Sequence, residues 1–179
     1  GSPWRTASKV AEGDGTLATV AQAPFADGED PTVTGEDYSA GLLAIEAIDW
    51  NVLCVDTDDT VTHAVVQTYT DRITSEGKRI LTVLGEPTSV ELTTRLANAR
   101  AFNDPAVHYV ANGFKGSDGI VREGYLAAAR IAGMIAGSSI TDSMTHAVVR
   151  GATEVVGALT NAEIEQALLS GAIVFTMSA

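Results

Sequence analysis

Four short apolar runs, at residues 51–55, 80–84, 106–111 and 172–177, recur along this chain with stretches of helical periodicity between them. Neighbouring side chains on a strand point to opposite sides of its sheet, so a run that is apolar at consecutive positions must be covered on both faces. A sheet covered on both faces is the mark of parallel strands between helical layers. The expected fold is therefore α/β, a three-layer core with a mainly parallel central sheet flanked by helices.

The segments between the runs carry helix punctuation. Thr34-x-x-Asp37 has the form of a capping box, with Tyr38, Gly41, Leu42, Ile45 and Ile48 on one face of the helix that follows. A second helix is predicted over 61–76, burying Val65, Val66, Tyr69 and Ile73 and ending at Gly77, where a left-handed residue belongs. Thr88-x-x-Glu91 predicts a third helix start, with Leu92, Leu96 and Ala99 inward and Pro105 beyond its end. Asn112-Gly113 reads as a turn, and the glycine-rich 113–119 leads through a brief strand at 120–121 into a helix over 124–136. Thr160-x-x-Glu163 opens the last helix, which Gly171 stops. Residues 1–33 read as a loosely structured lead-in with one short strand near 17–20, Gly1-Ser2 having the look of a cloning scar. That leaves 34–179 as one core domain. Its predicted core places Val52, Leu53, Val83, Val107, Val110 and Val174 on central strands, with Leu42, Ile45, Tyr69, Leu96, Ile131 and Leu168 packed over them.

At 179 residues with 45% apolar content, the chain is long enough to bury a core of this kind. Its 23 acidic and 11 basic residues give a net charge of −12, which repels phosphate backbones and anionic lipid and argues against nucleic-acid partners. No apolar run approaches the ~20 residues that span a bilayer, so membrane insertion is not expected. The one cysteine, Cys54, lies in an apolar run and reads as a buried, inert thiol.

One motif points toward catalysis. Residues 52–61, VLCVDTDDTV, place Asp56-x-Asp58-x-Thr60 at the carboxyl end of an apolar strand. This resembles the signature of haloacid-dehalogenase-type phosphotransferases, whose first carboxylate is a nucleophile and second a general acid beside Mg²⁺. The same chemistry needs a lysine near the phosphoryl group and a later acidic pair after another strand, and neither is evident in the sequence. Asp58, Asp59 or Thr60 can equally cap the following helix, where a carboxylate suits the dipole. Gly113, Gly116 and Gly119 do not form a phosphate loop, since neither Lys78 nor Lys115 stands in a Gly-Lys-Ser/Thr context. His63, His108 and His146 show no metal-ligand spacing, and Ser143 and Thr145 have no nucleophile elbow around them. The sequence therefore assigns no catalytic, cofactor-binding or metal-binding residue and no cofactor. The phosphotransferase built on Asp56 and Asp58 stands as the alternative.

A different set of residues carries a family resemblance. A helix crowded with small residues at 128–136 runs into Ser143-x-Thr145 and Gly151-Ala152. Thr160-Asn161-x-Glu163-Ile164-Glu165, Ala167-Leu168, Gly171 and the apolar 173–175 follow in that order. Earlier come Gly35-Glu36-Asp37-Tyr38, Leu42 to Glu46, Asn51-Val52-Leu53, Thr57-Asp58-Asp59, and a helix at 69–78 with Arg72 that ends Glu76-Gly77-Lys78. Over roughly 25–179 this order resembles the sheath subunit of contractile phage tails, in particular the short sheaths of phage-like elements and myophage prophages. The resemblance implies a structural subunit without an active site. Its partners would be other sheath subunits in hexameric rings, the tail tube protein and the baseplate, and its place the virion, assembled in the bacterial host cytoplasm. Family members continue past the equivalent of Phe175 into a tube-contacting domain and carry terminal arms that add strands to neighbours. Neither the domain nor the arms are found in this sequence, so the chain is expected to be the central portion and to behave as a monomer.

Overall fold

A computed structural model describes residues 32–139 and 141–177. The expected strand near 17–20, and all but the last two residues of the lead-in, lie outside the described residues. In chain order the elements are α1 (Gly35–Ile45), β1 (Val52–Cys54), α2 (Thr60–Ser75), β2 (Leu81–Gly85), α3 (Leu92–Phe102) and β3 (Val107–Val110). After these come β4 (Gly113–Gly116), β5 (Val121–Arg122), α4 (Tyr125–Ala136), β6 (Ala152–Val156), α5 (Asn161–Leu169) and β7 (Ala172–Ile173).

The four apolar runs make one parallel sheet in the order β1-β2-β3-β7, with Leu53 opposite Thr82, Val83 opposite His108 and Val110 opposite Ile173. The pleat sends alternate residues to two separate cores. Leu53, Val55, Leu84, Val107, Tyr109 and Ala172 pack with Leu42, Val66, Tyr69, Ile73, Leu96 and Ala167 from α1, α2, α3 and α5. Val83 and Val110 face the other way, onto Ala127, Ala128, Ile131 and Ala132 of α4, together with Phe114 and Phe175. This is the three-layer arrangement the apolar runs predict. The small residues Ala127, Ala128 and Ala132 of α4 let its backbone lie close to the sheet, whereas Gly133 and Ala136 further along the stripe are exposed.

Four expectations are corrected. β1 and β7 are the sheet's edges rather than central strands; Val52 is half-buried because an edge residue is covered on fewer sides, and Val174 is half-buried just beyond β7. Leu168 is 62% exposed, since α5 turns Ala167 inward and its neighbour outward. The final strand covers only Ala172–Ile173. Beyond it the Asn112 side chain stands in for a neighbouring strand, its Oδ1 accepting from Phe175 N (2.8 Å) and its Nδ2 donating to Phe175 O (2.9 Å). Asn112-Gly113, expected as a turn, is therefore a buried junction leading straight into the next strand.

The glycine-rich segment is the largest departure from the sequence reading. Residues 113–116 are strand β4, the middle of a second, antiparallel sheet ordered β5-β4-β6, and the tight turn is confined to 117–119. A Cβ on Gly113 would collide with the Arg122 carbonyl, so the glycine is required by the close approach of β5. β6 was not evident in the sequence. It is short, mostly exposed and interrupted by a register shift at Lys115/Gly116.

Candidate functional site

In a parallel α/β sheet, ligand chemistry gathers beyond the carboxyl ends of the strands. Here that region holds Asp56, Thr57, Asp58 and Asp59 after β1, Glu86 and Thr88 after β2, and Asn112 after β3. Glu123, just before α4, bonds into the same region.

The three aspartates do three different structural jobs. Asp59 is the N-cap of α2, accepting from Thr62 N (2.8 Å) and Thr62 Oγ1 (2.7 Å), and those bonds hold its pKa below the usual carboxylate range. Asp58 reaches across the sheet end to a different helix. Its Oδ1 accepts from Tyr125 N at 2.7 Å, on the first turn of α4 and 67 residues away in sequence. Burial raises the Asp58 pKa while the Tyr125 amide opposes that rise. The preceding Gly124 has φ 56° and ψ −133°, and a Cβ there would overlap the Asp58 carboxylate. Only glycine serves at that position. Asp56 is exposed and accepts from Tyr38 Oη at 2.9 Å, tying the β1 end to α1.

Around them lies a network that sequence reasoning missed. Glu86, 4% exposed, accepts from Asn98 Nδ2 (2.8 Å) and from the Tyr109 hydroxyl. Burial, and then the Glu86 carboxylate, push the Tyr109 pKa well above the usual phenol range. Arg95 is equally buried and donates through Nε to Val90 O (2.8 Å), while its Nη1 has no hydrogen-bond partner among the described residues. Burial lowers its pKa, and its electrostatic interactions with Tyr109, Glu86, Glu123 and Glu91 oppose that shift. Glu123 accepts from both the amide (3.1 Å) and the hydroxyl of Thr88. The predicted Thr88/Glu91 capping box therefore does not form, and Glu91 occupies the N-cap of α3 without a side-chain cap bond. The only sequence signal for this network was a charged residue set immediately after the apolar β2 run.

The remaining candidates are dispersed. Lys78 points away from the sheet end, donating to Ile48 O (2.6 Å) with its ammonium over the Trp50 ring. Lys115 lies on β4 and His108 on β3, half-buried. His63 is buried, with Nε2 against Thr57 O at 2.9 Å. Ser143 Oγ accepts from Thr145 N (3.2 Å), a local turn bond. Cys54 is half-buried and its thiol is pushed up to about 11, mainly by burial. Among the described residues no three histidine, cysteine or carboxylate side chains gather as a metal-binding group. None of their helices is long and apolar enough to cross a membrane.

The sheet end is thus a set of cross-links between elements, which suits a packing module. The model of the family described as "Phage tail sheath protein central domain" matches residues 32–179. The chain belongs to the phage tail sheath family. Among solved structures, the sheath tail protein of Desulfitobacterium hafniense is similar at 32% identity and a TM-score of 0.78, over 93% of this chain and 38% of that one. The sheath tail protein of Listeria innocua is similar at 25% identity and a TM-score of 0.67, over 86% of this chain and 33% of that one. No curated protein matches. The chain spans about a third of the length of the sheath proteins it matches. The Asp58-Asp59 step closes the β1 end onto α4 and α2, and of the two carboxylates behind the phosphotransferase resemblance Asp58 binds the first turn of α4 while Asp56 binds the Tyr38 hydroxyl.

Proposed function

We propose that this chain is the central domain of a contractile tail sheath subunit. The subunit assembles with copies of itself into hexameric rings around a tail tube, meets the baseplate at one end, and contracts to drive the tube through a target cell envelope. The observation that carries the proposal is the match of residues 32–179 to the sheath central domain. The interior supports it: two apolar cores and a cross-linked sheet end make a body that keeps its shape while its outer contacts change. Contraction is then an exchange between two lattices of a stable unit, the energy lying in differential packing. The work needs no cofactor and no catalytic residue. Residues 34–179 form the core unit and 1–33 its lead-in. The subunit's place is the virion tail, after assembly in the bacterial host cytoplasm.

The test is electron microscopy of a full-length sheath subunit carrying this central domain. Hollow tubes or stacked rings are expected, and a subunit that stays dispersed under all assembly conditions would overturn the proposal. The phosphotransferase alternative gains nothing from the geometry, because Asp58 is turned onto the α4 N-terminus and Asp56 onto Tyr38.

A further inference from the structure

Two surface features find no partner among the described residues, and their chemistries are complementary. The first is a groove of about 430 Å³ between β4, the start of α4 and the 150–151 loop, lined by Phe114, Asp118, Arg122, Leu126, Arg130 and Arg150 among others. In a chain of net charge −12 with 11 basic residues, three arginines converge on this one groove. Asp118 pairs with Arg122 (2.5 Å), and Arg130 donates to the Arg150 carbonyl (2.5 Å). Arg130 and Arg150 form no ion pair among the described residues, which leaves the groove net positive around an exposed Leu126.

The second feature is a ridge on α5. Glu165, Leu168 and Leu169 stand at i, i+3 and i+4, a single stripe on one helix face, with the leucines 62% and 77% exposed. Two adjacent leucines left this open beside a glutamate match a groove that is apolar at Leu126 and basic around it. The ridge cannot fill its own groove. The inward face of α5 belongs to the core on one side of the parallel sheet, through Ala167, and the groove belongs with α4 and Phe114 on the other side.

We propose that the α5 ridge of one copy docks in the arginine groove of the next, Leu168 and Leu169 against Leu126 and Glu165 between Arg130 and Arg150. The proposal takes from the assembly reading only that copies of this chain meet one another. Because ridge and groove are different surfaces, the contact is head-to-tail and repeats from copy to copy, as rings and helical lattices require. A patch of this size is far below the ~1,200 Å² of a stable interface. It is therefore weak between free chains, sampled at high protein concentration and held when a lattice sets the copies side by side.

The test is directed cross-linking. In a Cys54→Ser background, Leu126→Cys and Leu168→Cys are placed in one chain and oxidised at high protein concentration. A ladder of disulfide-linked oligomers is expected. It should be lost when Glu165→Arg is added, and return when Arg150→Glu joins it. No ladder, or a ladder indifferent to Glu165→Arg, would overturn the contact. The same cysteine pair in a full-length subunit separates this inference from the assembly reading. Tubes that form without cross-linking would refute the contact alone. A charge-dependent ladder without tubes would support the contact and refute the tail assembly.

Discussion

Replacing Asp58 with alanine removes the bond that fastens the β1 end to α4. The wild-type carboxylate accepts from Tyr125 N at 2.7 Å, and losing an N-cap acceptor costs roughly 0.5–2 kcal/mol. The amide left behind is part-buried, and an unpaired buried donor costs about 1–3 kcal/mol. Against this, burial already disfavours the charged carboxylate, so its removal returns some desolvation energy. The net expectation is a loss of about 1–2 kcal/mol for Asp58→Ala, or about 2–8 °C in Tm for a domain of this size. Asp58→Asn keeps an oxygen acceptor and gives up only the charge at the helix dipole, so it should stay within about 1 kcal/mol of wild type. Asp56→Ala, at an exposed site, should stay within about 0.5 kcal/mol. Urea unfolding followed by far-UV circular dichroism, with an unchanged m-value, measures all three. Asp58→Ala indistinguishable from wild type, or Asp56→Ala equally costly, would refute the assignment of Asp58 as a long-range cap. The same proteins assayed with a phosphate ester and Mg²⁺ should show no hydrolysis. A wild-type rate abolished by Asp56→Asn would restore the phosphotransferase reading.

Other expectations follow from the same interior. Leu84→Ala or Leu96→Ala should cost about 2–5 kcal/mol, whereas Leu168→Ala on the exposed ridge should lie within about 0.5 kcal/mol, all read by denaturant midpoint. Asn112→Ala should cost about 2–4 kcal/mol and release the segment around Phe175, visible as faster amide exchange at Phe175 N, because both backbone groups of Phe175 lose their partner. Stability should fall as pH drops below about 4.5. Asp37, Glu46, Asp59, Asp118 and Glu163 have pKa values lowered by hydrogen bonds or arginine, so the unfolded chain takes up protons first. Asp58 and Asp71, with raised values, act in the opposite direction but are fewer, so a Tm that rises from pH 4 to pH 3 would contradict the balance. Sedimentation at micromolar concentration should find a monomer, since like-charged bodies with one small complementary patch do not associate stably, and a stable hexamer would refute this.

Much of this protein was fixed by neighbours in sequence. The Thr34/Asp37 and Thr160/Glu163 capping boxes form as written, because each needs only four residues and one turn of helix. The four apolar runs became one parallel sheet, because strands apolar on both faces have few other ways to leave water. Asp59 as the α2 cap, and Gly77 in a left-handed conformation beyond that helix, belong to the same class of local events. What tertiary structure decided is which distant group wins when a residue has two possible partners. Asp58 could cap the next helix but is taken by Tyr125 N, and Thr88 could pair with Glu91 but is taken by Glu123. The glycines at 113 and 116 permit either a turn or a close-packed strand, and the choice fell to the strand once β6 and β5 came to lie against it. Leu168 faces water because α5 is oriented by the seat of Ala167 against the sheet, not by the hydrophobicity of the residue beside it. Local signals act over a few residues with energies near 1 kcal/mol, so an equally strong bond from a segment 35 or 67 residues away overrules them once the cores bring the two together.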